Sequence, residues 1–386
     1  MDSTSPLFET FPLAEGVTLR NRVVMAPMTT WASNDDLTVS DEEIAYYRRR
    51  ASGVGMVITG CTHVSPEGIG FTHEFASDDD RFLPGLKRLA EAAKSGGAKA
   101  IMQIFHAGNR ALPELTPGGE IVSASALTGE PSPFAPCDIP ARALTETEIL
   151  AIVADFGAAT RRAVEAGFDG VELHGAHGFL LQNFYSPLYN RRPDAWGGSR
   201  ENRLRFPLAV VAEVKRVIAQ DADRPFVLGY RVSPEEGAEG GLRMADAYAL
   251  IDAIVAAGVD YIHASLSSVL DAKPIGGTDG QTIAELVVAH VDGRVPVIAA
   301  GQVRVPDQAE TALARGLALV AVGQGLVMNP DWVELAQTGQ AHRIATTLDV
   351  RTLTDIALPP LLWTVIDETK GWFAVSGSSI LAHAEA

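Results

Sequence analysis

Two histidines three residues apart, His174 and His177, stand in the run GVELHGAHG at the end of a short apolar segment. Two neighbouring imidazoles can both donate to one carbonyl or phenolate oxygen and polarise it. Imidazoles also bind zinc, but no third ligand is evident nearby at a spacing that would complete such a site. A pair that only packs is the remaining reading.

Other polar residues lie where an apolar strand makes them costly. Arg231, in YRVS, carries a permanent charge that needs an anion or a polar ring as partner. An internal salt bridge, with Glu172 for instance, would also serve. Gln103, in IMQIF, has a primary amide that must be satisfied on both edges. The alternating donors and acceptors of a flavin pyrimidine edge would suit it, and so would nearby backbone groups. Gly301 and Gly323 end two late strands, where free amides could meet a phosphate or where the chain simply turns.

The elements that must position these residues repeat one pattern of apolar strand, loop, amphipathic helix and tight turn. Strands are read at 21–28, 55–61, 99–106, 170–175, 226–233, 261–266, 295–301 and 317–323, short and almost continuously apolar as parallel strands buried on both faces should be. Ser40 with Glu43 and Thr145 with Glu148 fit capping boxes. Ile149, Ile152, Val153, Phe156 and Ala159 share one helical face, and Leu204, Leu208, Val211 and Ile218 share another. Turns from helix to strand carry Gly53, Gly96, Gly97, Gly167, Gly258, Gly293 and Gly316, suited to left-handed caps. Loops from strand to helix (107–144, 178–200, 234–242, 267–281) are long and polar, which is the functional side of a parallel barrel.

Eight such units predict an α/β chain folded as a (β/α)8 (TIM) barrel over residues 1–345. No GxGxxG follows the first strand, which weakens a doubly wound alternative. The 107–144 excursion after strand three, with six prolines, reads as an ordered lid. Residues 346–386 form a C-terminal extension, with LLWTVIDETKGWF apolar enough to dock on its own barrel or on a neighbouring subunit. No second domain is evident.

Composition narrows the functional classes. Hydrophobic content of 47% and charged content of 20% suit a compact chain. A formal charge of −17 argues against nucleic acid or anionic membranes as partners. Cys61 and Cys137 form no CxxC unit, so neither a disulfide scaffold nor an iron–sulfur cluster is expected. The N-terminus has no basic and apolar leader, and no apolar run reaches the roughly 20 residues of a membrane span. A cytoplasmic enzyme acting on a small molecule is expected, with homo-oligomerisation left open.

The chain also resembles the Old Yellow Enzyme family of FMN-dependent ene-reductases over roughly residues 6–375. The likeness is carried by LRNRVVMAPMTT, QIFHAG, EAGFDGVELHGAHGFLLQNFYSPLYNRRPDAWGGSRENRLRFPLAVV, YRVS and VMNPDW. It implies FMN over the strand ends, with Ala26, Pro27, Met28, Thr29 and Gly60 along the isoalloxazine. Gln103 and Arg231 would meet its pyrimidine side; Gly301, Gly323 and Gln324 would hold the phosphate. His174 and His177 would hydrogen-bond the carbonyl oxygen of an electrophilic substrate, with Thr29, Trp31 and Phe179 completing its pocket. The implied chemistry carries hydride from NAD(P)H through FMN to the β-carbon of an activated alkene.

Three residues depart from the family's pattern. Phe179 stands where a tyrosine commonly supplies the α-carbon proton, and a phenyl ring cannot donate one. Solvent would then supply that proton, or the acceptor would need none, as with a quinone, a flavin or oxygen; an NAD(P)H-dependent reductase of quinones, flavins, dyes or nitro compounds is the alternative reading. Gln324 stands where an arginine often meets the phosphate, leaving Arg304 as a candidate replacement. Gln302 replaces a glycine usual after Gly301. A cofactor-free barrel lyase or isomerase is the reading from another class. It would want a strand-end lysine or a carboxylate pair, and Lys273 and Glu172 are poorly placed for either.

Overall fold

The computed structural model describes residues 5–129, 139–277 and 280–377. Eight parallel strands close into a barrel: β1 (Val23–Met25), β2 (Met56–Ile58), β3 (Lys99–Phe105), β4 (Gly170–Gly175), β5 (Val227–Val232), β6 (Tyr261–Ser265), β7 (Val297–Ala300) and β8 (Leu319–Val322). Each pairs with its sequence neighbours, and β8 pairs with β1 to complete the ring. All eight strands predicted from the sequence are present, most of them shorter at their ends. The trimmed ends matter, because residues past the last ladder bond are those that line the mouth.

Side chains on a strand alternate between faces, so every second residue points to the barrel axis. Val24, Ile101, Val227, Tyr261, Ile298 and Leu319 fill the interior with Leu13, Val17 and Leu19 from an N-terminal hairpin. The residues between them, such as Val23, Met102, Leu173, Tyr230 and Ile262, face outward into the core shared with the helices. The same parity carries Gln103, Glu172, His174, Arg231, His263 and Ser265 inward, nearer the C-terminal ends of their strands. One structural rule therefore gathers the costly polar residues into one place.

The helices pack outside as α1 (Asp41–Arg50), α2 (Leu83–Lys94), α3 (Glu146–Ala166), α4 (Arg200–Asp221), α5 (Met244–Ala256), α6 (Ile283–Val291) and α7 (Pro306–Ala314). The Thr145–Glu148 capping box is complete, and α3 ends on Gly167 in the left-handed region (φ 88°), which donates back to Ala163 and Val164. Ser40 caps α1, but Glu43 does not reach back to complete a box. Its buried carboxyl instead accepts from Thr30 Oγ1 (2.5 Å) and Ser33 Oγ (2.8 Å), tying the chain after β1 to the first helix. Of the predicted cap glycines, Gly53 and Gly96 lack positive φ; a Cβ at Gly96 would meet Ser52 at 2.3 Å, so close backbone approach is what they provide.

The buried face of α3 matches the predicted one, with Val153 at its edge. On α4 the buried face is Phe206, Val210, Val211, Val214 and Val217 instead, while Leu204, Leu208 and Ile218 are half-buried at its margin. Arg203 and Pro207 occupy the same inner face, and a charge and a helix breaker there hide its period from a hydrophobic count.

Described parts of the excursion after β3 include a turn at Gly108–Arg110 and a short parallel pairing of Val122–Ser123 with Arg142–Ala143. Its centre, 130–138 with Cys137, lies outside the described residues. After 345 the chain folds back on the barrel. Leu348, Leu358, Leu362 and Ile366 join the main core, and buried Arg50 donates to Ile356 O at 2.9 Å. Among the described residues no helix is long and apolar enough to cross a membrane.

Candidate active site

A cavity of about 550 Å³ opens at the C-terminal end of the barrel. Ala26, Pro27, Met28, Thr29 and Trp31 enter it from the chain after β1, Gln103 from β3, and His174, His177 and Phe179 from the end of β4 and beyond. Arg231 and Ser265 come from β5 and β6, and Gly301, Gln302, Arg304, Gly323 and Gln324 from the segments after β7 and β8. Thus the predicted site residues converge, with one exception. Gly60 packs behind Met28, where a Cβ would meet Met28 O at 2.7 Å, and its neighbour Cys61 faces the cavity in its place. Burial pushes the Cys61 thiol well above its ordinary pKa, so it stays protonated.

The histidines are neutral. Burial, then the neighbouring His177 and Arg231, holds His174 well below the ordinary imidazole pKa, and His177, which is open to the cavity, is lowered too by desolvation and by Arg231. Their rings lie 4.9 Å apart, edge to face. The Ala176 amide donates to His174 Nδ1 (3.3 Å), which leaves the proton of the neutral ring on Nε2 as a donor. His177 adopts φ 58°, a costly backbone conformation for a residue with a Cβ. Its amide is held by Ser233 Oγ (3.1 Å), and its Nε2 lies 2.7 Å from Ser265 Oγ. Among the described residues no group of three His, Cys, Asp or Glu side chains could hold a metal ion.

Below the histidines, a polar network fixes two more donor sets. Gln103 Nε2 donates to Glu172 Oε1 at 2.6 Å, so the amide nitrogen must face the carboxylate and the carbonyl is left for the cavity. Glu172 Oε2 accepts from Tyr261 (3.0 Å) and pairs with His263 Nδ1 (2.9 Å). Burial works against the Glu172 charge, but His263, Arg231 and Gln103 outweigh it and lower its pKa, keeping the carboxylate ionised. Arg231 is 5% exposed; its Nη2 donates to Ser265 Oγ (3.1 Å), whereas its buried Nε has no partner among the described residues. No ion pair between Arg231 and Glu172 forms among the described residues.

At the opposite end, Gln324 is already occupied. Its Oε1 accepts from Arg304 Nη2 (2.8 Å) and its Nε2 donates to the Trp372 carbonyl. Arg304 Nε is a second buried donor in the site without a partner among the described residues. Gly301, whose Cβ would strike Leu266 O at 2.4 Å, keeps the backbone close here. Gly323 precedes the short helix Gln324–Met328, whose first amides have no acceptor within the helix.

Two orphaned guanidinium donors, one beside Gln103 and one beside free helix amides, fit an elongated group with a polar ring edge and a terminal phosphate. FMN has that form. Arg231 and Gln103 would hold the ring edge, and Arg304, Gly301 and the Gly323–Gln324 backbone would hold the phosphate, with Gln324 acting through Arg304.

Opposite these polar groups stands an aromatic wall. Trp31 meets Phe71 (5.6 Å between ring centroids) and Trp372 (6.0 Å), and Phe179 meets His174 edge-on at 4.8 Å. Trp372, from the C-terminal extension, Phe71, Arg110 and Ser265 are cavity residues that reading the sequence does not single out. Ser265 could have been found, since it ends an apolar strand at the functional side. Nothing in their spacing distinguishes the other three.

A parallel barrel with two unpaired guanidinium donors among the described residues at its mouth fits a flavin-dependent barrel oxidoreductase. The chain belongs to the NADH:flavin oxidoreductase / NADH oxidase family, whose profile matches residues 6–343. It is 43% identical over 367 residues to the probable NADH-dependent flavin oxidoreductase YqiG of Bacillus subtilis, covering 95% of this chain and 97% of that one. It is 38% identical to the NADH:fumarate oxidoreductase of Klebsiella pneumoniae over 94% of this chain, but spans only 39% of that larger protein. Among solved structures, morphinone reductase in complex with tetrahydroNAD superposes with a TM-score of 0.74 at 30% identity, over 87% of this chain and 91% of that one. The fold and the oxidoreductase class are those of Old Yellow Enzyme, with FMN as cofactor and a reduced nicotinamide as electron donor.

Proposed function

We propose that this oxidoreductase passes the hydride of NAD(P)H to an activated alkene of the enone type, gripped at its carbonyl oxygen by His174 and His177. The observation that carries the reading is a pair of neutral imidazoles 4.9 Å apart facing the cavity, His174 with Nε2–H free to donate. When bound, FMN supplies the relay that takes hydride from the nicotinamide and releases it to the acceptor. Ser265 and the strained backbone of His177 hold the second ring in place, and Arg231 supplies fixed positive charge at the ring edge. No lysine lines the described cavity, which tells against a Schiff-base barrel.

Phe179 sets the proton source. It lies edge-on to His174 and offers no acidic hydrogen, so the α-carbon proton comes from water. That residue supports a second reading, in which the acceptor is a quinone, a dye or a nitro compound. The names of two relatives bear on the first: the Klebsiella protein, and a Vibrio harveyi NADH:acrylate oxidoreductase 37% identical over 91% of this chain and 35% of that one. Fumarate and acrylate are both activated alkenes.

The test is anaerobic. Purified protein should be yellow, bleach with NADH or NADPH, and recover its colour on addition of an enone. Colourless protein that releases no FMN on heating would sink both readings; recovery with quinones but not enones would leave the second.

A further inference from the structure

The cavity has a surplus positive charge. Three arginines line it, Arg110, Arg231 and Arg304, and no aspartate, glutamate or lysine does so among the described residues, in a chain of net charge −17. Arg231 and Arg304 are accounted for at the two ends of the FMN site. Arg110 is not. Its guanidinium has no hydrogen-bond or ion-pair partner among the described residues, although every arginine beside it in the site has one.

Its position is nonetheless built. The turn Gly108–Arg110 is pinned by amide bonds from Gly108 to His106 Nδ1 (3.0 Å), from Asn109 to Asn183 Oδ1 (3.1 Å) and from Arg110 to Ala107 O (3.2 Å). The side chain then lies across Gly178, where a Cβ would stand 2.7 Å from Arg110 Nε. Only glycine at 178 leaves room for it, and Gly178 directly follows His177. Burial and then Arg231 depress His177, and Arg110 is close enough to add to that effect.

We infer that Arg110 binds a carboxylate on the acceptor, so that the enzyme's preferred substrates are enones bearing an acid group. The inference rests on the proposed function and sharpens it to a substrate class. Guanidinium matches carboxylate with two parallel hydrogen bonds, and it holds that geometry best on a rigid turn. Its place beside His177 puts the anion near the gripped carbonyl. The pyrophosphate of a nicotinamide dinucleotide is separated from its reacting ring by a ribose, and so belongs further out. In the net reaction, the carbon β to the carbonyl gains hydride drawn from NAD(P)H and the α-carbon gains a proton from water. NAD(P)H becomes NAD(P)+, and the carboxylate is unchanged.

The experiment compares β-acetylacrylate with its methyl ester, two enones differing in one charge. Wild-type holoenzyme should favour the acid in kcat/KM, and Arg110→Met should reduce the acid-to-ester ratio by about tenfold to a hundredfold, the range for losing one charged hydrogen-bond partner. Arg110→Lys should restore part of it. Calorimetry with the saturated analogues gives a readout without turnover: levulinate should bind more tightly than methyl levulinate, and that preference should vanish in Arg110→Met. An acid-to-ester ratio unmoved by the substitution would overturn the inference. So would a variant in which anaerobic bleaching by NADH or NADPH slows as much as acid reduction, which would assign Arg110 to the nicotinamide. If neither acceptor reoxidises the flavin, the proposed function fails, and levulinate binding still decides on Arg110.

Discussion

Ser265 Oγ lies 2.7 Å from His177 Nε2 and accepts from Arg231 Nη2 at 3.1 Å, so one hydroxyl couples a cavity-facing imidazole to the buried cation below it. Removing it leaves the buried Arg231 Nη2 short of a partner, at about 1–3 kcal/mol, and frees the His177 ring, which is open to the cavity. Ser265→Ala should therefore raise KM for a neutral enone and weaken FMN together, each by about tenfold. Steady-state kinetics and FMN fluorescence titration check this. An effect on neither would mean that His177 is positioned by its backbone alone.

Arg304 and riboflavin make a matched probe of the phosphate end. With Gln324 bonded to Trp372, Arg304 is the cation left for the phosphate. Arg304→Met should weaken FMN by about tenfold or more, the scale of a charge-assisted hydrogen bond, and weaken riboflavin far less. Equal loss for both ligands would place Arg304 away from the phosphate.

Gln302 has φ 58°, next to Gly301. A residue with a Cβ pays roughly 1–2 kcal/mol in this region, and glycine returns part of that through its flexible unfolded state. Gln302→Gly should stabilise the protein by about 0.5–1 kcal/mol, whereas Gln302→Val should destabilise it by about 1–2 kcal/mol. Chemical denaturation distinguishes them; destabilisation by glycine would show that the glutamine side chain contributes more than its backbone costs.

Stability should fall in mild acid. Burial lowers His106 from 6.5 to about 3, and its Nε2 has no partner. Because the folded pKa is depressed, the unfolded chain binds the extra proton first, so stability is lost as pH drops from 6.5 toward 3 and is flat above 6.5 on this account. Between pH 6.5 and about 5 one such histidine costs about 2 kcal/mol, and His174 and His177 act in the same direction. His106→Asn should flatten the slope of stability against pH in that window. A slope unchanged from wild type would locate the proton uptake elsewhere.

The barrel is legible in the sequence because each buried parallel strand is an uninterrupted apolar run closed by a glycine or a loop. Where a charge or a proline intrudes, the period is lost: Arg203 and Pro207 lie on the inner face of α4 and hide it. The site is legible where a charge or an amide breaks an apolar strand, as at Gln103 and Arg231, because desolvation makes such residues conspicuous. Arg110, Phe71 and Trp372 arrive on turns and on the extension, where arginine and aromatics are ordinary, and only the closed fold brings them to the mouth. Gln324 shows the converse: its place in the chain points to the phosphate, while the bonds of its side chain to Arg304 and to the Trp372 carbonyl come into view only in the closed fold.

On the proposed reading, the Phe179 position offers the alkene no acidic hydrogen. Phe179→Tyr should raise the rate of enone reduction relative to quinone reduction by about tenfold to a hundredfold, since positioned general acids contribute at least that much. The ratio of the two reoxidation rates in one stopped-flow series measures it. An unchanged ratio would show that proton delivery from water is not limiting.

The grip of His174 on the acceptor oxygen is tested most directly by the oxidative half-reaction. Wild-type and His174→Ala protein, each reduced anaerobically to the bleached state, are mixed with cyclohexenone while flavin absorbance is followed. Losing one preorganised donor to a developing oxyanion should slow reoxidation by about 10²–10³-fold. Reoxidation by cyclohexenone at the wild-type rate in His174→Ala would contradict the account.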